Sequence, residues 1–282
     1  MINMLWASAT WAIFHQAGQS LFAVAVLAGV GGYTSALLGN AISNTWFTMP
    51  IAFLVSCVTG MFFYILASRV LGHIQFAVLN LAFIFVFRYL LIAFTNITNG
   101  IDGLKVKYFT PEDVFASIRN RYFVVITVSI IALFAIHKLM SSRFGKILTL
   151  IGRNQELSAS VGINTDKYLR LAFLVFTPLI GLGGILYAHF IGHISPEAWN
   201  ADLSLTMVFS TLIGGSVNIL GPMLGAIIAT GIPISFDVTA EFRFGIAGIV
   251  AILIFIFKPE GIVGWIRELL IKKAEKKKNT IS

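Results

Sequence analysis

From residue 1 to residue 68 the chain contains no aspartate, glutamate, lysine or arginine, and no water-soluble domain leaves a stretch of that length uncharged. Other absences narrow the reading further. The single cysteine, Cys57, lies in an apolar run, so no internal disulfide is available and redox compartment is left open. No acidic side chain falls inside any apolar run, which argues against an ion-coupled secondary carrier, whose relay usually needs one. A G-x-x-x-x-G-K-[ST] phosphate loop is missing, so uphill transport would draw its energy from a partner. G-x-S-x-G, zinc patterns and paired intramembrane carboxylates are missing too, and with them the case for an intramembrane enzyme. The N-terminus lacks the basic region and small-residue cleavage site of a removed signal peptide, so insertion is expected to rely on the spans themselves.

What is present is apolar. Hydrophobic residues make up 57% of the sequence and charged residues 11%, with a mean hydropathy of +0.89. The expected fold class is all-α, a polytopic membrane helical bundle with broken or re-entrant helices. Residues 1–265 form one transmembrane domain and 266–282 a basic tail. The net charge of +8 sits in loops and in that tail, where lysine and arginine act as orientation signals and headgroup contacts rather than as a nucleic-acid surface.

Residues 4–38 are too long for one straight helix, because about 35 residues at about 1.5 Å each exceed a core of about 30 Å. A break is expected at residues 16–20, where Gln16, Gly18, Gln19 and Ser20 could leave helical geometry facing protein or a wet cavity. Gly29, Gly31 and Gly32 then permit close helix contact. Further spans are expected at 47–67, 74–94, 122–140 and 171–191, the last with a kink at Pro178 and a contact face of Gly181, Gly183 and Gly184. Arg88 lies inside the second of these, where it either snorkels to the outer interface or joins a buried pair. His189, His193, Glu197 and Asp202 cluster at the outer end of the last; without an HExxH or cysteine pattern they read as interface residues rather than metal ligands. A short span at 244–257 precedes the tail.

Residues 141–170 form the one long polar segment between spans. They carry Arg143, Lys146, Arg153, Lys167 and Arg170 against Glu156 and Asp166, a balance that keeps a loop in the cytoplasm. Within it LTLIGRNQELSASVGIN reads as a short helix closed at Gly162 in αL conformation. On composition alone it is a connector with an amphipathic turn on the lipid headgroups. The spacing of Glu156, Ser158, Ala159 and Gly162, however, resembles the ATPase-coupling loop of ABC-importer permeases. AGQSLFAVAVLAGVGGYTSALL, AFLVFTPLIGLGGILYA, ISPEAW, LIGGSVNILGPMLGA and FKPEGIVG follow in the order and spacing of the branched-chain amino acid (Liv) permeases, LivM branch, and the resemblance covers about residues 17–264. Ala23 and Val24 stand where that family has a Gly-His step. Family members generally have another span before the AGQ segment, so either the start is truncated or the fold tolerates its absence.

The resemblance implies a multi-pass inner-membrane permease subunit that moves leucine, isoleucine, valine or other hydrophobic amino acids into the cytoplasm. Urea, short amides and other small solutes are alternative cargoes within the wider family. It implies ABC ATPase subunits, a second homologous permease and an extracytoplasmic solute-binding protein as partners in the bilayer, and no cofactor. Arg153, Asn154, Glu156, Ser158, Ala159 and Gly162 would make the coupling surface. Charged cargo needs polar partners at helix breaks, so Gln19, Ser20, Ser210, Thr211, Gly214, Gly215, Ser216 and Asn218 are the expected path lining; the same residues serve equally well in helix packing. With loop and tail both inside, residues 203–236 must start and finish outside. A re-entrant hairpin turning at 214–216 at mid-depth fits best, and two full crossings satisfy the same parity.

Overall fold

The computed structural model describes residues 1–42, 47–69, 73–107 and 118–231, and beyond them 245, 248–253, 256, 261–265 and 268. The expected return of the hairpin near residues 237–241, part of the span at 244–257 and nearly all of the basic tail lie outside the described residues. In chain order the helices are α1 (Ile2–Trp11), α2 (Val24–Ala41), α3 (Thr48–Arg69), α4 (His73–Ala93) and the single turn α5 (Thr95–Thr98). They continue with α6 (Ile118–Ser141), α7 (Arg143–Arg153), α8 (Gln155–Ser160), α9 (Thr165–Ile191), α10 (Ala201–Gly214) and α11 (Leu220–Ala226). π-helical turns extend α1 over Ala12–Gln16 and α11 over Ile227–Gly231. Among the described residues five helices, α2, α3, α4, α6 and α9, are long and apolar enough to cross a membrane. With the all-α composition of the bundle, this makes the chain a multi-pass membrane protein.

Helix α9 is the axis. It and α2 are far more buried than α3, α4 and α6, which turn large apolar faces such as Leu54, Val78 and Phe134 outward, as helices bordering lipid do. The core is close-packed because small residues let backbones meet. A Cβ on Gly31 would strike the Gly181 carbonyl, one on Gly184 the Ala28 carbonyl, and one on Gly183 the Trp6 indole. The glycines singled out in α2 and α9 thus meet each other. On the other flank of α9, Gly60 of α3 sits against Thr177 and Gly181 against Ser56. Trp199 packs edge to face against both Trp6 and Tyr187 around this level, at centroid distances of 6.2 and 5.5 Å, and Trp6 tilts against Tyr187.

Pro178 lies inside α9 without ending it. Proline has no N–H for the carbonyl four residues back, that of Leu174. The Cys57 thiol of α3 takes that place, 3.9 Å from the Leu174 oxygen. Arg88 is not in a buried pair: it pairs with Glu197 at 2.5 Å, the two side chains 33% and 72% exposed, so the pair contributes about 1 kcal/mol at most. His189 is fully buried between Ser35 (2.7 Å) and the Lys107 carbonyl (2.6 Å). A two-residue ladder missed by the sequence joins Leu104–Lys105 to His193–Ile194.

The chain direction follows from side-chain partners. Trp6 bonds the Ile180 carbonyl (2.9 Å), and ten residues on, Gln16 meets α7; α1 therefore runs toward the end of the bundle that carries the basic residues 143–170. The chain leaves helical geometry over 17–23, and α2 returns toward the opposite end, where Ser35 reaches His189. The break expected at residues 16–20 is present, one turn longer.

Candidate functional site

At the basic end α7 and α8 lie across the bundle. Gly145, Leu148 and Ile151 are buried while Arg143, Lys146 and Leu150 are exposed, the three-residue repeat of an amphipathic helix. Phe144 stacks on Tyr168 and tilts against Phe176, which fixes α7 to α9. The single helix expected here is two helices. Asn154 adopts an extended conformation (φ −158°) and its side chain accepts the Leu157 N–H at 2.8 Å, so it ends α7 and caps α8 by competing for backbone donors. The end of α8 is as expected: Gly162 has φ +86°, and the Gly162 and Ile163 N–H groups bond back to the carbonyls of Ala159 and Ser158, a Schellman closure. Arg153, Glu156 and Ala159 are exposed, Ser158 is buried, and Leu157 and Val161 stand 63% and 70% exposed. Asp166 at the start of α9 accepts from Tyr64 and pairs with Arg170, tying the ends of α3 and α9 together.

The break after α1 rests on this layer. Gly18 (φ +67°) and Gly152 approach backbone to backbone; a Cβ on Gly152 would strike the Gln16 carbonyl. Between them lies a cavity of about 710 Å³, lined by residues 17–20, residues 151–156, Ala159 and Thr165. It brings Gln19 and Ser20 together with Arg153, Asn154, Glu156 and Ala159. Helix termini leave N–H groups without partners, and at the start of α2 the Ala25 N–H is taken by Ser204 of α10 at 2.9 Å. On the other side Asn80 of α4 donates to the Ser20 carbonyl at 3.3 Å.

Helices α10 and α11 form the second break, two arms folded on each other. Gly214 packs on Gly221 and Gly225 on the Ser210 carbonyl, each without room for a side chain, and Gly261 closes on Gly215. The turn is anchored to the end of α1: the Ser216 carbonyl accepts from Trp11 Nε1 (3.3 Å) and from Gln16 Nε2 (2.8 Å), and Gln16 also meets Thr149 of α7. Ser210 and Thr211 are buried and bond carbonyls of their own helix, Thr211 also lying 3.2 Å from His15. Ser216 and Asn218 are exposed, and the Asn218 side chain accepts the Leu220 N–H at the start of α11. The expected lining is therefore divided, Gln19 and Ser20 facing the cavity and the residues of 210–218 meeting the end of α1. Ser204, His15, Gln16 and Thr149 were not singled out as contacts. Gln16 was visible as a breaker, while Thr149 carries no signal of its own in the sequence.

The family of branched-chain amino acid transport system permease components matches residues 1–258. Among similar proteins, the high-affinity branched-chain amino acid permease LivM of Salmonella typhimurium is 24% identical over 88% of this chain and 64% of its own length. LivH of Escherichia coli K12 is 26% identical over 54% of this chain and 50% of its own. The autoinducer 2 import permease LsrC of Escherichia coli O9:H4 is 24% identical over 91% and 78%. The chain thus spans less than two thirds of the length of the LivM relative. No solved structure shows a significant match. A broken α1–α2 pair, a central α9 and an amphipathic layer at the basic end, within a family match over almost the whole chain, place the protein among the permease components of branched-chain amino acid transport systems.

Proposed function

We propose that the chain is one permease subunit of an ATP-driven importer that moves branched-chain or other hydrophobic amino acids into the cytoplasm. ABC ATPase subunits would bind at the basic end, a second homologous permease beside this one, and an extracytoplasmic solute-binding protein at the opposite end. The observation that carries the reading is the exposed ridge of Leu150, Leu157 and Val161 beside Arg153 and Glu156. It stands on helices whose other face is buried in the bundle, which is the form of a surface built to enter a groove on a soluble partner. Arg153, Asn154, Glu156, Ser158, Ala159 and Gly162 shape that surface, and α6 and α9, which flank it in the chain, would carry its motion.

Two broken helices flank the route. Backbone groups released there would supply donors and acceptors for a zwitterionic cargo. Gln19, Ser20, Ser210, Thr211, Gly214, Gly215, Ser216 and Asn218 remain the assigned lining. Co-purification of the ATPase subunits with the chain, lost when Leu157 is replaced by Asp, tests the docking half; retention of the ATPase in Leu157→Asp contradicts it. A second cargo reading is supported by the LsrC relative, an autoinducer 2 import permease that the chain covers more fully than LivM: a small solute other than a hydrophobic amino acid. Competition of labelled leucine uptake by unlabelled solutes separates the two.

A further inference from the structure

We propose that Gln16 is a positioning residue that ties α7 to the turn between α10 and α11, so that a displacement of one is passed to the other. Its consequence for transport rests on the importer reading above; the tie itself does not. Gln16 ends the π-helical turn after α1, a wide turn of the kind found where a helix is adapted to function, and it is 7% exposed.

Its amide can point only one way. The Ser216 carbonyl has no proton, so it must receive one, and Gln16 Nε2 donates to it at 2.8 Å. That leaves Gln16 Oε1 toward Thr149, whose hydroxyl donates to it at 2.6 Å. Reversing the amide would set oxygen against oxygen at Ser216. Thr149 has a single hydroxyl proton and a competing acceptor, the Gly145 carbonyl at 2.9 Å, so a shift of α7 has a ready way to release or engage Gln16. The backbone leaves no slack below. Gly152, one turn after Thr149 on the same face of α7, abuts the Gln16 carbonyl where a Cβ would not fit. Above, Trp11 Nε1 takes the second lone pair of the same Ser216 oxygen. One side chain therefore bridges the layer assigned to the ATPase and the break assigned to the path.

The test is a pair of substitutions on opposite sides of the tie, read first without cargo or ATPase. In the full chain reconstituted in lipid nanodiscs, Thr149→Val and Gln16→Leu should each speed amide hydrogen exchange over residues 214–219 by about fivefold, the effect of one lost hydrogen bond on local opening. The double variant should exchange no faster than Gln16→Leu alone, because both changes cut one chain, and Thr149→Ser should restore the native rate. Unchanged exchange over 214–219 in Thr149→Val, or effects that multiply in the double variant, would overturn the tie. In the assembled importer Gln16→Leu should raise the ATP consumed per cargo molecule severalfold, with the ATPase still bound. A native ratio in that variant overturns the role in coupling even where the exchange result holds.

Discussion

At the scale of single residues the structure turns on where a side chain is missing. Two glycines make opposite tests. Gly184 has ordinary helical geometry but no space, since the Ala28 carbonyl of α2 lies where its Cβ would be; Gly162 has open space but a φ of +86°. Overpacking costs up to about 3 kcal/mol, whereas a left-handed non-glycine residue costs about 1 kcal/mol. Gly184→Ala is therefore expected to lower the melting temperature of the detergent-purified protein well below that of Gly162→Ala, in a thermal unfolding assay followed by tryptophan fluorescence. Equal melting temperatures would show that the α2–α9 contact is looser than described. Cys57 offers a finer comparison. Its thiol is a weak donor to the Leu174 carbonyl freed by Pro178, so Cys57→Ala should cost about 0.5–1 kcal/mol, and Cys57→Ser, with a better donor of similar size, should recover that loss.

Elements were legible in the sequence where one strong signal governed them. The long apolar runs gave α2, α3, α4, α6 and α9, and Gln16, Gly18, Gln19 and Ser20 marked the break. The Gly162 closure was readable from one residue. The split of the polar segment into α7 and α8 was not, because it depends on Asn154 choosing the Leu157 N–H over helix continuation, a competition that periodicity does not register. Nor was the partner of any polar side chain legible. Ser204 taking the Ala25 N–H and Gln16 bridging Thr149 and Ser216 join residues far apart in the chain, and no local pattern announces them.

Ala159 is exposed on α8, so Ala159→Trp should leave insertion and melting temperature unchanged while abolishing uptake by blocking a close approach. Native uptake by that variant would remove α8 from the coupling surface. Thr211 is buried against the end of α1 and Ser216 is exposed at the turn. Single cysteines at these positions, in a Cys57→Ala background, should react with water-borne thiol reagents in at least one transport state, position 216 faster than 211. No reaction at either in any state would move the path elsewhere.

For the molecule as a whole the arrangement is a buried pair, α2 and α9, ringed by α3, α4 and α6 and crossed at the basic end by α7 and α8. Two breaks enter this frame from neighbouring sides, after α1 and between α10 and α11, and both come down to the same layer through Gly18, Gly152 and Gln16. Under the proposed importer reading, a push on α7 and α8 would reach both breaks through this layer. The most direct measurement is labelled leucine accumulation in proteoliposomes holding the chain, its second permease, the ATPase subunits and the solute-binding protein. The account predicts accumulation above the external concentration that depends on internal ATP and disappears in Ala159→Trp. Accumulation that persists without ATP and follows an imposed proton or sodium gradient would contradict it.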